Sequence, residues 1–264
     1  MTNSHKDYLW PQISSLPYFR GLLRAVEARF YEEIDLPAPT LDLGCGDGHF
    51  ASLTFDQPLE VGIDPWWKPL IEAKKRNAYL GLAQTDGAWM PFPDGFFGSA
   101  VSNSVLEHIP HIDEVLAETA RVLRAGAPFI FCVPNQNFLP NLSIGRGLDK
   151  IGFRKLGDWY RAFFNKISRH HHCDPPEVWQ QRLEKAGFEM VHWWYYFSPA
   201  ALAVLEWGHY FGLPSWVSKA LTGHWILCPT RWNLALTCRL VERFYAEPAE
   251  QEKGAYTFYI ARRL

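Results

Sequence analysis

The chain predicts an α/β fold, a parallel sheet with helices on both faces. Three observations carry that expectation. Short apolar strand runs alternate with amphipathic helical runs from Thr40 to Pro134, the pattern of repeated strand–helix–strand units. The first strand run, Thr40-Leu41-Asp42-Leu43, leads directly into Gly44-Cys45-Gly46-Asp47-Gly48, a glycine-rich turn that opens a helix. A second strand run, Leu59-Glu60-Val61-Gly62-Ile63, closes on Asp64, about 20 residues after the first glycine, where the ribose-binding acid of a nucleotide-binding unit is expected.

Taken in order, Ile13 to Ile34 reads as an N-terminal helix (residues 13–34), because Leu16, Phe19, Leu23, Val26 and Phe30 recur on one face. Pro37-Ala38-Pro39 separates it from the first strand. Gly44, Gly46 and Gly48 permit positive φ and close approach of the main chain to a ligand. The dinucleotide fingerprint would place a third glycine at 49, where this chain has His49, so a diphosphate is disfavoured. A helix from Asp113 to Leu123, a turn at Arg124-Ala125-Gly126 and a strand from Pro128 to Val133 follow. Phe188 to Phe197 and Ala255 to Arg262 read as two further strands.

The segments LDLGCGDG and VGID resemble the first two motifs of class I S-adenosylmethionine-dependent methyltransferases, of the small-molecule, methyltransferase type 11-like branch. Gln84 to Asp94 resembles that family's strand 3 exit, and Ala100 to Ile109 its strand 4 exit. The likeness is dense over residues 38–135 and returns near 175–197 and 255–263. It implies a Rossmann-like, seven-stranded, mostly parallel sheet in the order 3-2-1-4-5-7-6, one domain over residues 1–264, and S-adenosyl-L-methionine as cofactor. Spacing places Asp64 at the ribose hydroxyls. The resemblance adds Asp42, Gly44, Cys45, Gly46 and Gly48 around the methionyl part, Pro65 and Trp66 beside adenine, and Asp86, Gly87 and Ala88 at the adenine edge. Asn103 ends strand 4 at the switch-point crevice, where ligands of open sheets bind, as a methionine or substrate contact. In the family an N-terminal helix often covers the pocket, which brings Tyr18, Phe19 or Arg20 within reach. Gly98 departs from the family, which usually carries Asp there.

Composition fits a folded chain of one α/β domain with insertions: 264 residues, 48% hydrophobic, net charge -2. Near-neutral charge argues against nucleic acid, whose phosphates demand a clear basic excess. Met1 to Asp7 is polar and lacks the apolar core of a signal peptide. Cysteines at 45, 132, 173, 228 and 238 form no CxxC pair, which fits a reducing cytoplasm better than a disulfide framework.

Two segments exceed the minimal fold, residues 135–174 and 198–254, and loops this long usually carry function. The first is locally basic through Arg146, Lys150, Arg154, Lys155, Arg161, Lys166 and Arg169, while Leu148, Ile151, Leu156, Trp159, Phe163 and Ile167 recur at helical intervals. Two readings stay open for it: a peripheral membrane element, or a helix with a solvated charged face. The second is rich in Trp and Tyr. Its apolar run from Pro199 to Leu213 is interrupted by Glu206 and His209 and ended by Pro214, short of a membrane span. It reads either as a second hydrophobic layer on the sheet edge or as an aromatic lid over an apolar substrate or at a bilayer interface.

Methyl transfer from a sulfonium is an in-line displacement, so the protein must mainly align the reactants and exclude water. Where a proton must leave, His is the suited side chain, and the candidates are His108, His111 and the run His170-His171-His172, with His108 and His171 put first. A metal on His170, His172 and Cys173 is not expected, because adjacent residues of an extended chain point to opposite faces. The reading is therefore methyl transfer to a small apolar or lipid-like acceptor. Two alternatives remain open: a non-catalytic, membrane-associated S-adenosylmethionine-binding protein, and an NAD-dependent oxidoreductase, which His49 does not favour.

Overall fold

Seven strands form one sheet in the order β3-β2-β1-β4-β5-β7-β6. The computed structural model describes residues 6–264; the first five residues of the polar N-terminal stretch lie outside the described residues. The chain opens with α1 (Leu9–Ile13) and α2 (Tyr18–Arg29), then runs β1 (Thr40–Leu43), α3 (His49–Thr54), β2 (Leu59–Asp64), α4 (Trp67–Arg76), β3 (Tyr79–Gln84), β4 (Ser99–Asn103), α5 (Ile112–Val122) and β5 (Pro128–Pro134). The first long segment contributes α6 (Ser143–Lys150) and α7 (Arg154–Ser168), followed by α8 (Pro176–Ala186) and β6 (Phe188–Tyr196). The second contributes α9 (Pro199–Phe211), α10 (Leu213–Thr222) and α11 (Ala235–Tyr245) before β7 (Tyr256–Arg263). Strands β1 to β5 pair in parallel, and β7 runs antiparallel between β5 and β6. The predicted fold class and strand order are those observed.

Both faces of the sheet are covered, which is why β5 is apolar throughout. Alternate residues of β5 enter different cores: Phe129, Phe131 and Val133 meet Trp179 and Leu183 of α8, while Ile130 and Cys132 meet the layer that includes Leu22 and Val26 of α2. The side-chain period of two along a strand dictates this division. Gly98 has a steric reason, since a Cβ there would lie 2.6 Å from the Pro37 carbonyl oxygen and 2.7 Å from that of Ala38.

Three expected boundaries change. The single helix 13–34 is two helices, because the Ser14 and Ser15 hydroxyls turn back to the Pro11 carbonyl at 3.2 and 2.6 Å and Pro17 precedes α2 in an extended conformation; a proline also disfavours helical geometry in the residue before it. Helix α2 then ends at Arg29 rather than Ile34. The basic amphipathic run of the first insertion is broken between α6 and α7 at Gly152, whose φ is +89°. Among the described residues no helix is long and apolar enough to cross a membrane.

Candidate functional site

The turn after β1 is tied to β2 by its own backbone. The Gly44 and Cys45 N–H groups both donate to the Ile63 carbonyl at 2.9 Å. Gly44 has φ +79°, and a Cβ there would stand 2.3 Å from Val105 Cγ1, so only glycine fits. Asp64, at the end of β2, is buried and accepts the Gly46 N–H at 3.1 Å and the Trp66 N–H at 2.8 Å. Burial pushes its pKa up, against those two bonds. Asp42, on β1, is likewise buried and accepts the Tyr79 hydroxyl at 2.6 Å. Burial raises its pKa to about 6, with the Tyr79 bond opposing the shift.

Two cavities meet across Gly44 and Val105 at the carboxyl ends of the strands. One, of about 470 Å³, is bounded by Asp42, Cys45, Gly46 and Asn103, with Arg20 of α2 and Trp225 of the second insertion closing it. The other, of about 540 Å³, is bounded by Asp64, Pro65, Trp66, Asp86, Gly87 and His111. The second cavity offers a buried carboxylate, Asp64, able to accept from a diol, and an apolar slot with a polar edge able to take a purine. Gly46 has nothing within 4 Å of an added Cβ, which leaves this turn open on one side to a ligand. The residues present therefore fit S-adenosylmethionine.

Most of the residues expected at the cofactor lie on these walls. Two of them, Ala88 and Gly48, do not, and support the wall instead. Ala88 donates its N–H to Asp86 Oδ1 at 2.9 Å, which with the His111 ring at 3.1 Å holds that carboxylate in place. Gly48 supplies a left-handed turn (φ +69°) at the entry to α3. Asn103 faces the first cavity while its amide donates to Glu27 Oε2 at 2.7 Å. His49, where a third glycine would stand, is buried with its Nε2 2.8 Å from the Ser15 hydroxyl, and burial lowers its pKa to about 4.

A third cavity, of about 170 Å³, shares Arg20, Arg24 and Ser104 with the first and His108 with the second. Phe19, Leu23, Phe138, Leu205 and Tyr256 make its apolar wall, and Glu107, His170 and His209 add polar groups. The expectation for His171 changes here. Its side chain is exposed and bounds none of the three cavities, and its neighbour His170 faces the third one instead. Alternation of adjacent side chains separates His171 from both neighbours, and His172 turns instead to the Ile109 carbonyl, 2.9 Å from its Nε2. Of Tyr18, Phe19 and Arg20, the latter two reach a cavity.

Sequence reasoning missed the floor beneath these cavities. Glu27 of α2, fully buried, accepts from Arg24 at 2.9 Å, Asn103 at 2.7 Å, Ser104 at 3.1 Å and Tyr196 at 2.8 Å. The available signal was a carboxylate four residues after Leu23, inside the apolar stripe of the helix. Glu107 is buried as well, and burial raises its pKa to about 8.

A family model described as a methyltransferase domain matches residues 17–193. A fatty-acid O-methyltransferase of Mycolicibacterium smegmatis is 37% identical over 97 residues, which cover 34% of this chain and 35% of that protein. A malonyl-[acyl-carrier protein] O-methyltransferase of Legionella pneumophila is 27% identical over 118 residues, covering 41% and 42%. The matched stretch thus spans less than half the length of these relatives. A crystal structure of an S-adenosylmethionine-dependent methyltransferase from Mesorhizobium loti superposes with a TM-score of 0.53 at 17% identity, covering 93% of this chain and 100% of that one, a likeness of fold. The strand order, the glycine turn with its paired acid, and the family match converge: the chain belongs to the class I S-adenosylmethionine-dependent methyltransferases, with S-adenosylmethionine as its cofactor.

Proposed function

We propose that the methyl acceptor is a small molecule with an apolar body and a carboxylate, of fatty-acid type, and that it binds in the third cavity. One observation carries this reading. Arg20 lies on the wall shared by the cofactor cavity and the acceptor cavity, and its guanidinium makes no hydrogen bond or ion pair among the described residues. It lies 5.8 Å over the Trp225 ring. The planar fork of a guanidinium matches a carboxylate, and the remaining wall of Phe19, Leu23, Phe138 and Leu205 suits a hydrocarbon chain. The O-methyltransferase relatives named above support an oxygen nucleophile.

S-adenosylmethionine supplies a methyl group on a sulfonium, open to displacement by an in-line nucleophile. For that step Asp64, Pro65, Trp66, Asp86, Gly87 and Ala88 position the adenosine, Asp42, Gly44, Cys45, Gly46, Gly48 and Asn103 position the methionyl end, and Arg20 orients the acceptor oxygen. A carboxylate is already ionised near neutral pH, so no base is required. Residues 135–174 and 198–254 act as the acceptor-selecting lid, through Phe138 and His170 of one and Leu205 and His209 of the other. The expected product is a methyl ester, identified by mass spectrometry after incubation with labelled cofactor and a series of fatty acids. Arg20→Ala should raise the acceptor KM at least about tenfold and leave cofactor affinity unchanged. If the variant weakens the cofactor instead, Arg20 holds the methionine carboxylate and the reading fails.

The outer face of α7 favours a second reading about where the acceptor is met. Leu156, Trp159, Phe163 and Ile167 follow one another at helical spacing and are all exposed, Trp159 at 63%. Tyr160 and Phe164 turn inward, and Lys155 and Lys166 each stand one position before a residue of the exposed stripe, which puts them on its flank. An apolar stripe bordered by lysine is the pattern of a helix lying in an anionic lipid surface. Salt-sensitive flotation with vesicles containing phosphatidylglycerol, lost in Trp159→Glu, is the expected result. Equal behaviour of the variant, or no flotation at low salt, removes this reading.

A further inference from the structure

We infer that Glu107, His108 and His170 form a binding site for one divalent first-row transition cation on the wall of the acceptor cavity. The ligand atoms of these three residues all lie within 4.8 Å of one another. They come from two segments about 60 residues apart in sequence, the turn after β4 and the chain leaving α7, so tertiary structure alone brings them together. The sequence argued against a metal held by consecutive residues; this site takes only His170 from that run.

Each ligand is oriented for the role. His108 Nδ1 faces the Arg169 carbonyl at 3.1 Å. A carbonyl only accepts, so Nδ1 carries the proton and Nε2 presents its lone pair, 3.8 Å from Glu107 Oε1. A backbone carbonyl on the far ring nitrogen is the support that metal-binding histidines characteristically have. His170 stands beside it, ring centroids 5.4 Å apart, with its Nδ1 3.6 Å from Cys173 Sγ. The segment is pinned to the first ligand, because the Glu107 carbonyl accepts the N–H groups of His171 at 2.7 Å and His172 at 3.2 Å.

The carboxylate supplies the second, independent observation. Glu107 is 2% exposed and bounds the cavity, yet its Oε2 has no hydrogen-bond partner among the described residues. A buried carboxyl oxygen left unpaired is costly. The nearby guanidinium of Arg24 does not relieve it by hydrogen bonding, since its bonds go to Glu27 at 2.9 Å and to the Asn103 carbonyl at 3.2 Å. Two imidazoles and one carboxylate suit Zn²⁺, Co²⁺, Mn²⁺ or Fe²⁺ rather than the all-oxygen preferences of Ca²⁺ and Mg²⁺. Three protein ligands leave at least one coordination position for an oxygen of a small molecule in the cavity.

The site is tested by direct binding, which reads the metal whether or not the acceptor has been identified. The full chain, stripped with a chelator, is titrated with Co²⁺ and followed by its visible absorption, then challenged with Zn²⁺. One equivalent of Co²⁺ with ligand-field bands, displaced by Zn²⁺, is expected. His170→Ala and Glu107→Gln should each weaken binding at least about tenfold, while His171→Ala, at the exposed neighbour, leaves it unchanged. Zn²⁺ should also raise the melting temperature of the wild type and not of those two variants. If His170→Ala does not fold by circular dichroism, His170→Gln is read in its place. Absence of stoichiometric binding, or binding indifferent to Glu107→Gln and to the His170 variant, overturns the site and leaves a metal-free hydrogen-bonding cluster.

Discussion

The Tyr79 hydroxyl on β3 donates to Asp42 Oδ2 on β1 at 2.6 Å, reaching across the intervening strand β2. The ring passes over Gly62, the register partner of Asp42. A Cβ at Gly62 would stand 2.9 Å from Tyr79 Cδ1. Tyr79→Phe therefore strips a buried carboxylate of this donor, with an expected cost of about 1–3 kcal/mol at pH 7. Because the bond favours ionised Asp42, the loss measured by urea unfolding should shrink at pH 4. An equal loss at both pH values would show that only ring packing had changed.

Asp42 itself predicts a pH dependence. Its folded pKa of about 6 lies above the unfolded value of about 3.9. Between those values the folded chain holds a proton that the unfolded chain has released, so stability falls as pH rises through this window, by about 3 kcal/mol for this group taken alone. The cost is complete above the folded pKa. Asp42→Asn should remove this part of the slope and gain stability at pH 7 relative to pH 4, while weakening the cofactor. Parallel unfolding profiles of wild type and variant over pH 4 to 7 would refute the assignment.

Asp64 holds the glycine turn and bounds the second cavity at once. Asp64→Ala should lower S-adenosylmethionine affinity by about 1.5–3 kcal/mol, the range for a hydrogen bond to a charged group. Asp64→Asn keeps an oxygen for one backbone donor and should fall between. Calorimetric affinities equal to wild type in both variants would remove Asp64 from the cofactor site.

Glu206 couples the two insertions. This fully buried carboxylate of α9 accepts the Ser143 N–H and hydroxyl at 2.5 and 2.6 Å, the Ile144 N–H at 3.1 Å and the Tyr160 hydroxyl at 2.7 Å. It therefore caps α6 from another helix and places negative charge at that helix's positive end. Glu206→Ala should destabilise the chain by about 3 kcal/mol and accelerate amide exchange over residues 143–150 before the sheet. Exchange unchanged in α6 would show the cap to be dispensable.

Gly208 sets how closely the second insertion lies on α2. A Cβ there would be 2.3 Å from both Cβ and Cγ of Phe19, and that Cβ is fixed by the backbone and cannot swing aside. Gly208→Ala should lift α9 from α2, cost about 1–3 kcal/mol, and disturb the third cavity through Phe19 and Leu205. Cofactor affinity should hold, because Asp64 and the glycine turn lie elsewhere. A melting temperature and an acceptor KM both at wild-type values would contradict this packing.

The parallel core and the cofactor turn are legible in the sequence by itself, because local chemistry determines them. The alternation of strand and helix runs, the glycines that need positive φ at Gly44 to Gly48, and the acid spaced to Asp64 are all properties of short segments. Glu206 shows the limit: in sequence it only interrupts an apolar run, and its meaning lies in Ser143 and Tyr160, reached by a chain reversal that no periodicity encodes. Helix boundaries failed for a local reason, since the Ser14 and Ser15 hydroxyls and Pro17 ended one helix inside a continuous apolar stripe. The third cavity, where we propose the acceptor to bind, was decided by tertiary structure alone. Arg20, Glu107 and His170 come from a helix, a turn and an insertion, and which of three consecutive histidines faces this cavity depends on how Glu107 anchors the chain leaving α7. Side chains that converge from distant segments leave no spacing in the sequence, because their geometry is set by packing rather than by the chain that joins them.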